Sequence, residues 1–303
     1  MNIVLTGSIS NIGKPLTRAL LQNGHQVTVI SSNAERQPAI EALGAQAAIG
    51  SMLEPGFLAS TFHGADLVYL METMDAAGGD MTDPDVDFIG ILTSIGLNYQ
   101  QAIEQSGVKK VVHLSSIGAH TDKGNGFLIF HHNVEKILRQ LPADVVIKTV
   151  RPVDFYTNLF SFIPTIKKQG AIISNYGGDL KKPWVSPVDI AAVIAEEIEQ
   201  PFEGRTVRYV ASDEASPNEV AQSLGKAIGM PHLPWKVIPD EQLLNAWLNI
   251  GFNPKIAQGF IEMQASQGTG KLYEDYYRNP PVLGKVKLAE FAKDFAAAYQ
   301  QED

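Results

Sequence analysis

The chain has 303 residues, 33 acidic against 24 basic side chains, no cysteine, and 45% hydrophobic content. That length and composition suffice to bury a core without covalent staples, and the missing cysteine excludes disulfides, thiolate metal sites, iron–sulfur clusters and a thiol nucleophile. A formal net charge of −9 argues against nucleic acid and against an anionic membrane surface as partners, since both call for clustered Lys and Arg.

Residues 1–7 carry no basic stretch and only three consecutive apolar residues, too few for a signal-peptide core, so a cytoplasmic protein is expected. Ile3-Val4-Leu5, closed by Thr6-Gly7, reads as a buried parallel strand. Ile12, Leu16 and Leu20 recur every four residues and mark one face of a helix that ends near Asn23-Gly24. Further strands are expected at 27–30, 45–49, 67–71, 111–114 and 145–150, with a short helix closing at Gly44. Strands spaced by helical stretches imply right-handed βαβ crossovers, hence an α/β fold with a doubly wound parallel sheet. The connection from Glu72 to Asp87 is long and rich in Gly and Asp, as functional or mobile loops are.

After Pro152 the texture changes to aromatic and turn-rich segments, with a loop expected at 174–178. A helix over 187–199 and a strand over 206–210 follow. Ser216-Pro217-Asn218-Glu219 spells a capping box. Residues 241–298 read as mostly helical, broken at Asn279-Pro280-Pro281. The expected organisation is a doubly wound α/β domain of residues 1–153 with 186–212. A smaller, mostly helical C-terminal domain of 154–185 with 213–303 would hold substrate or a partner.

Thr6-Gly7-Ser8-Ile9-Ser10-Asn11-Ile12-Gly13 lies between the first strand and the first helix. A dinucleotide-binding turn needs glycines there, for the sharp turn, for close approach to the pyrophosphate and for helix packing. Gly7 and Gly13 fill the first and third places, and Ser10 takes the second. The second strand ends in Ser31-Ser32-Asn33, with Arg36 three residues on and no carboxylate before Glu35. Hydroxyls, an amide and a cation suit a 2′-phosphate better than a free ribose diol, which favours NADP(H) over NAD(H). The competing reading is that Ser31 to Asn33 only cap the next helix.

These residues, with Gly64-Ala65-Asp66, the run from Gly107 to Ala119, Val134-Glu135, Arg151-Pro152 and Val188-Asp189-Ile190-Ala191, resemble the NmrA-like family of atypical short-chain dehydrogenase/reductases. The resemblance implies an NAD(P)-binding Rossmann domain and a C-terminal domain closing over the nicotinamide. It implies that Gly7, Ser10, Asn11, Ile12 and Gly13 line the pyrophosphate and that Ser32 stands where relatives often carry the arginine for a 2′-phosphate. Ser51 would replace an aspartate near the adenine, and Met71, Glu72 and Thr73 would follow the ribose. Leu114 and Ser115 would pass under the nicotinamide, flanked by Pro152 and Val153. His131 would take the place of the lysine in the wider family's Tyr-x-x-x-Lys pair.

That pair is missing, since none of the nine tyrosines has lysine four residues on. The candidate catalytic residues are therefore His131, Ser115 and Tyr156. An imidazole at His131 suits proton donation or a ribose contact. The bland reading makes it one of two histidines opening a helix, His132 pairing with Glu135. The competing reading of Ser115 is a strand end capping the next turn, and that of Tyr156 is packing. Asp83-x-Asp85-x-Asp87 opens like a calcium loop but has Phe88 and Ser94 where glycine and glutamate belong; it reads as a helix entry, and no metal is expected. Leu243, Trp247 and Ile250 read as a core stripe, and Tyr273 to Tyr277 as a site cover or an interface. The expected function is NADPH-dependent reduction of a small electrophile such as a quinone, which needs little acid catalysis. The alternative is a non-catalytic NADP(H) sensor acting through a protein partner. A homodimer fits either.

Overall fold

The structure, a computed structural model, describes residues 1–301. Its centre is a seven-stranded sheet of β1 (Asn2–Leu5), β2 (Gln26–Ser31), β3 (Gln46–Ile49), β4 (Leu67–Leu70), β5 (Lys110–Leu114), β6 (Val146–Pro152) and, much later in the chain, Arg205–Val210. All six neighbouring pairs are parallel. Parallel strands covered on both faces are buried along their length: Leu67 to Leu70 are apolar at every position, whereas Ile147 to Pro152 bury Lys148 and Arg151 as well, each with hydrogen-bond partners.

Helices fill the crossovers: α1 (Gly13–Gln22), α2 (Gln37–Glu41), α3 (Pro55–Phe62), α4 (Phe88–Ser106) and α5 (Ile129–Leu138). One face packs Leu5, Val29 and Val112 against Leu16 and Leu20 of α1 and Ile190 and Ile194 from a helix over Pro187–Glu199. The other packs Val68, Leu70 and Val111 against Leu92 and Ile95 of α4 and Val134 of α5. Each such large side chain contributes roughly 1.5–3 kcal/mol by leaving water.

The second half contains more strand than its texture suggests. Strands β7 (Asp154–Phe155), β8 (Ile172–Ser174) and β9 (Lys182–Val185) come first, then β10, the Arg205–Val210 strand already placed beside β6, then β11 (Asp213–Ala215) and β12 (Trp235–Val237). They form a three-stranded sheet, β11-β9-β7, and a pair, β12-β8. The helices between and after them are α6 (Ile163–Gln169), α7 (the Pro187–Glu199 helix), α8 (Pro217–Ala227), α9 (Asp240–Asn249), α10 (Pro254–Thr269), α11 (Glu274–Arg278) and α12 (Leu288–Gln300). A separate aromatic core holds this part, built on Tyr156, Trp184, Leu224, Phe291 and Phe295. The capping box forms: Glu219 N–H donates to Ser216 Oγ at 3.1 Å and Ser216 N–H to the Glu219 carboxylate at 2.8 Å.

Two expectations about surfaces change. The stripe Leu243, Trp247, Ile250 is not core: Leu243 is buried, but Ile250 is 68% exposed. The stripe lines an open groove of about 640 Å³ shared with Phe162, Ile173 and Phe252. The long connection after Glu72 is tied down rather than loose. Asn253, capping α10, donates to the carbonyls of Asp83 at 2.8 Å and Val86 at 3.2 Å, and its own N–H reaches Met81 O at 2.8 Å. Asp87 caps α4 through Gly90 N–H, as a helix entry should.

Candidate active site

The sheet runs 3-2-1-4-5-6-10, so the connections from β1 and β4 leave toward opposite edges. A crevice opens at the carboxyl ends of strands where that order reverses. The turn from β1 into α1 sits on it. Gly7 has φ +84, and a Cβ there would lie 2.2 Å from the Met71 sulfur. A Cβ on Gly13 would lie 1.9 Å from the Ser8 carbonyl oxygen. Both positions therefore demand glycine, and Ser8 between them is itself left-handed at φ +59. α1 begins without a side-chain cap at Ile12. Among the described residues no protein acceptor meets the amides of Asn11, Ile12 and Gly13. Unpaired N–H groups at a helix N-terminus, where the macrodipole is positive, form an anion site.

Beside this turn lies a cleft of about 200 Å³ lined by Gly7, Ser31, Ser32, Asn33, Ser51 and Thr73, all expected from sequence. Arg36, Ser8, Met52 and Asp75 also line it. Ser31 is buried and accepts from Ser8 Oγ at 3.2 Å and from Asn33 N–H at 3.3 Å. The Asn33 side chain accepts from Glu35 N–H at 2.8 Å, so it acts as the helix cap that the competing reading supposed. Ser51 Oγ is likewise engaged by Leu53 N–H at 3.1 Å. Ser32 is exposed and Arg36 half-buried, and among the described residues Arg36 makes no ion pair. Two hydroxyls and a guanidinium around an open cleft fit a phosphate monoester. The residues present thus match both ends of a dinucleotide: bare amides for the diphosphate, and Arg36 with the serines for the adenosine end.

Beyond the carboxyl ends of β4 and β5 lies a chain of buried polar groups. Glu72, expected beside the ribose, instead turns its carboxylate inward, where His113 Nε2 lies 3.2 Å from one oxygen and His131 Nδ1 3.7 Å from the other. Glu72 and His113 side chains are fully buried, and His131 is 14% exposed. Burial above all lowers the His131 pKa to about 3, so this imidazole is neutral at working pH. His132 does not pair with Glu135: its Nδ1 meets the Ala119 carbonyl at 3.0 Å. Glu135 is held by Arg151, at 2.7 and 2.8 Å, by Arg139 at 2.6 Å and by the Ser115 hydroxyl at 2.7 Å. Burial would raise the Glu135 pKa, but the Arg151 guanidinium outweighs it and holds the carboxyl below its usual range. Arg151 also reaches Tyr209 and Asp275.

Two catalytic candidates do not face the crevice. Ser115 is buried with its hydroxyl donated to Glu135, which makes it a structural tie. Tyr156 is fully buried, stacked on Phe291 at 5.0 Å and Trp184 at 6.2 Å, so it belongs to the aromatic core. Leu114, Pro152 and Val153 are buried and can offer the crevice only a backbone edge. Met71 is half-buried under Gly7, and its N–H donates to Thr6 Oγ1 at 2.9 Å. From the C-terminal segment, Leu272, Tyr273 and Tyr276 join the β1-side core, and Leu272 packs against Gly118, which follows β5. Tyr273 donates to Asp154, which Lys182 approaches to 3.6 Å; burial pushes that lysine down to about 8.

Sequence reasoning overlooked His113 as Glu72's partner. Alternation along a strand puts Glu72 on the same face as Leu70, but that Leu70 stands opposite His113 is set by the β4–β5 register, which only the fold shows. Arg151 and Glu135 are too far apart in sequence for any such rule.

A model of the NmrA-like family matches residues 1–293. The chain is 26% identical over 300 residues to an NAD(P)H azoreductase from Xenophilus azovorans, covering 98% of this chain and 99% of that one. Its fold is similar to that of an NADPH-dependent quinone oxidoreductase from Escherichia coli, solved with NADPH, at a TM-score of 0.79, 21% identity and coverage of 96% and 99%. It is similar also to a triphenylmethane reductase from Citrobacter, at a TM-score of 0.76, 18% identity and coverage of 98% and 100%. With nearly its whole length accounted for by one family model, the chain belongs to the NmrA-like family.

Proposed function

We propose that this protein binds NADP(H) in the crevice above β1 and β4 and uses it to reduce a small conjugated electrophile, a quinone or an azo compound. The observation that carries this reading is the uncapped N-terminus of α1, in a turn whose Gly7 lines the same cleft as Arg36, Ser32 and Ser51. When bound, the nicotinamide supplies hydride. The chain's own residues bind and orient. Amides of residues 11–13 hold the diphosphate, Ser32 and Arg36 favour the 2′-phosphate, and His131, partly exposed at the start of α5, meets the acceptor. The half-buried apolar side chains Ile9, Met71, Leu128, Phe155 and Met263, packed against the β1-side core, exclude water from this end of the sheet. A relative that is an NAD(P)H azoreductase supports the same class of reaction. Titration with NADPH and NADH by calorimetry, then NADPH oxidation against a panel of quinones and azo dyes, tests the proposal. Tighter binding of NADPH and turnover with at least one acceptor is expected; no nucleotide binding, or binding with flat traces for every acceptor, refutes it.

A further inference from the structure

Resting on that reading, we propose that Glu72, His113 and His131 hold one proton in common and that His131 passes it to the anion formed when an acceptor takes hydride. The argument starts from charge and space. Three titratable side chains meet at the ends of β4, β5 and the first turn of α5, two of them fully buried. They do not form a set that could hold a metal ion. A lone carboxylate in such a place is costly, and one added proton makes the trio neutral. The buried neighbours do not supply a cation: Tyr69 and Tyr99 face Glu72 from β4 and α4, with hydroxyls that burial makes less acidic still. Glu135 faces both imidazoles from α5 and is already committed to Arg151 on β6 and to Arg139.

The geometry then selects where the proton goes. Nδ1 of His113 and Nδ1 of His131 are both buried without a hydrogen-bond partner. A bare imidazole lone pair tolerates that position better than an unpaired N–H. His113 therefore carries its hydrogen on Nε2 and directs it between the two Glu72 oxygens, at 3.2 Å from Oε1 and 3.4 Å from Oε2. Oε2, 3.7 Å from His131 Nδ1, holds the shared proton and closes on that nitrogen. His131 is left with its hydrogen on Nε2, the side through which the ring is exposed. An acceptor that gains hydride gains two electrons and one hydrogen, and still needs one proton. His131 Nε2–H gives that proton up as Nδ1 takes the one from Glu72. The trio, now one proton short, refills from water through the same exposed edge after product leaves.

Such a relay matters only when the reduced anion is a strong base. A reduced azo nitrogen is one; a hydroquinone oxyanion is not. The relay thus widens the acceptor range beyond quinones. Two experiments decide it. In cofactor-free protein labelled with 15N-histidine, His131 is expected neutral with its proton on Nε2 between pH 6 and 8; a proton on Nδ1 with Nε2 bare overturns the proposal. In turnover, Glu72→Gln keeps the shape but cannot pass a proton, and the azo-to-quinone rate ratio is expected to fall on the order of 100-fold. His131→Gln, read in protein shown to be folded by circular dichroism, is expected to lower the same ratio comparably. An unchanged ratio in the folded variants overturns the relay while leaving the reductase reading intact. A wild type that turns over no acceptor sinks the reductase reading and the relay with it.

Discussion

Replacing Gly13 with alanine tests the nucleotide site at its narrowest point. The added methyl group would sit 1.9 Å from the Ser8 carbonyl oxygen and 3.1 Å from its carbon. Restoring van der Waals contact requires the β1–α1 turn to move by about 1.5 Å, because repulsion below contact distance rises steeply. A shift of that size takes amide donors out of hydrogen-bonding range of a phosphate. Losing two charge-assisted bonds at about 1.5–3 kcal/mol each raises the NADPH dissociation constant by roughly 10²- to 10⁴-fold. Gly56→Ala is the control: the glycine lies in α3, and a Cβ there meets nothing within 4 Å. Calorimetric titration of both variants, with circular dichroism to confirm the fold, reads the result. A folded Gly13→Ala protein that binds NADPH within about threefold of wild type would refute the placement of the diphosphate on this turn.

Arg36→Ala is expected to weaken NADPH on the order of tenfold and NADH far less, by the same titration; equal losses would remove Arg36 from the 2′-phosphate. Glu135→Ala strands the buried Arg151 guanidinium and should cost about 3–5 kcal/mol, read as a lower urea midpoint at unchanged slope. The Glu135 pKa is depressed in the folded state, so its contribution is full above the ordinary carboxylate range and vanishes as pH falls through the folded value; Glu135→Gln should flatten the acid limb of the stability profile. His131 also binds its proton less readily when folded, its pKa falling from 6.5 to about 3. The unfolded chain therefore takes up the extra proton, and stability should fall as pH drops from 6.5 toward 3, less steeply in His131→Phe. Asn253→Ala removes the side-chain bonds to the Asp83 and Val86 carbonyls but keeps the backbone bond to Met81, at about 1–3 kcal/mol, and faster amide exchange over residues 83–87 is the expected readout.

The central sheet was legible because its rules are local. Short β-branched runs, glycines at their carboxyl ends and four-residue apolar repeats between them admit little besides parallel βαβ units. The same holds for the β1–α1 turn, where φ +84 at Gly7 and the close approach at Gly13 leave a mark in the residue types themselves. The capping box at Ser216 and the helix entry at Asp87 are equally local. Strands β7, β8, β9, β11 and β12 left no such mark: at two to four residues each they are too short for a period to show, and their partners lie far along the chain.

What only the tertiary structure decided is where the polar side chains point. Glu72 read as a ribose contact, yet strand register aims it at His113. Ser115 and Tyr156 carry chemically able hydroxyls, and packing turns one into Glu135 and the other into an aromatic stack. Glu135 finds Arg151 rather than His132 because β6 brings the guanidinium under α5 from 16 residues away. Backbone conformation is chosen by a residue and its nearest neighbours, so composition and spacing reveal it. Desolvation and ion pairing are chosen by whatever the fold brings alongside, and no reading of one segment at a time contains that.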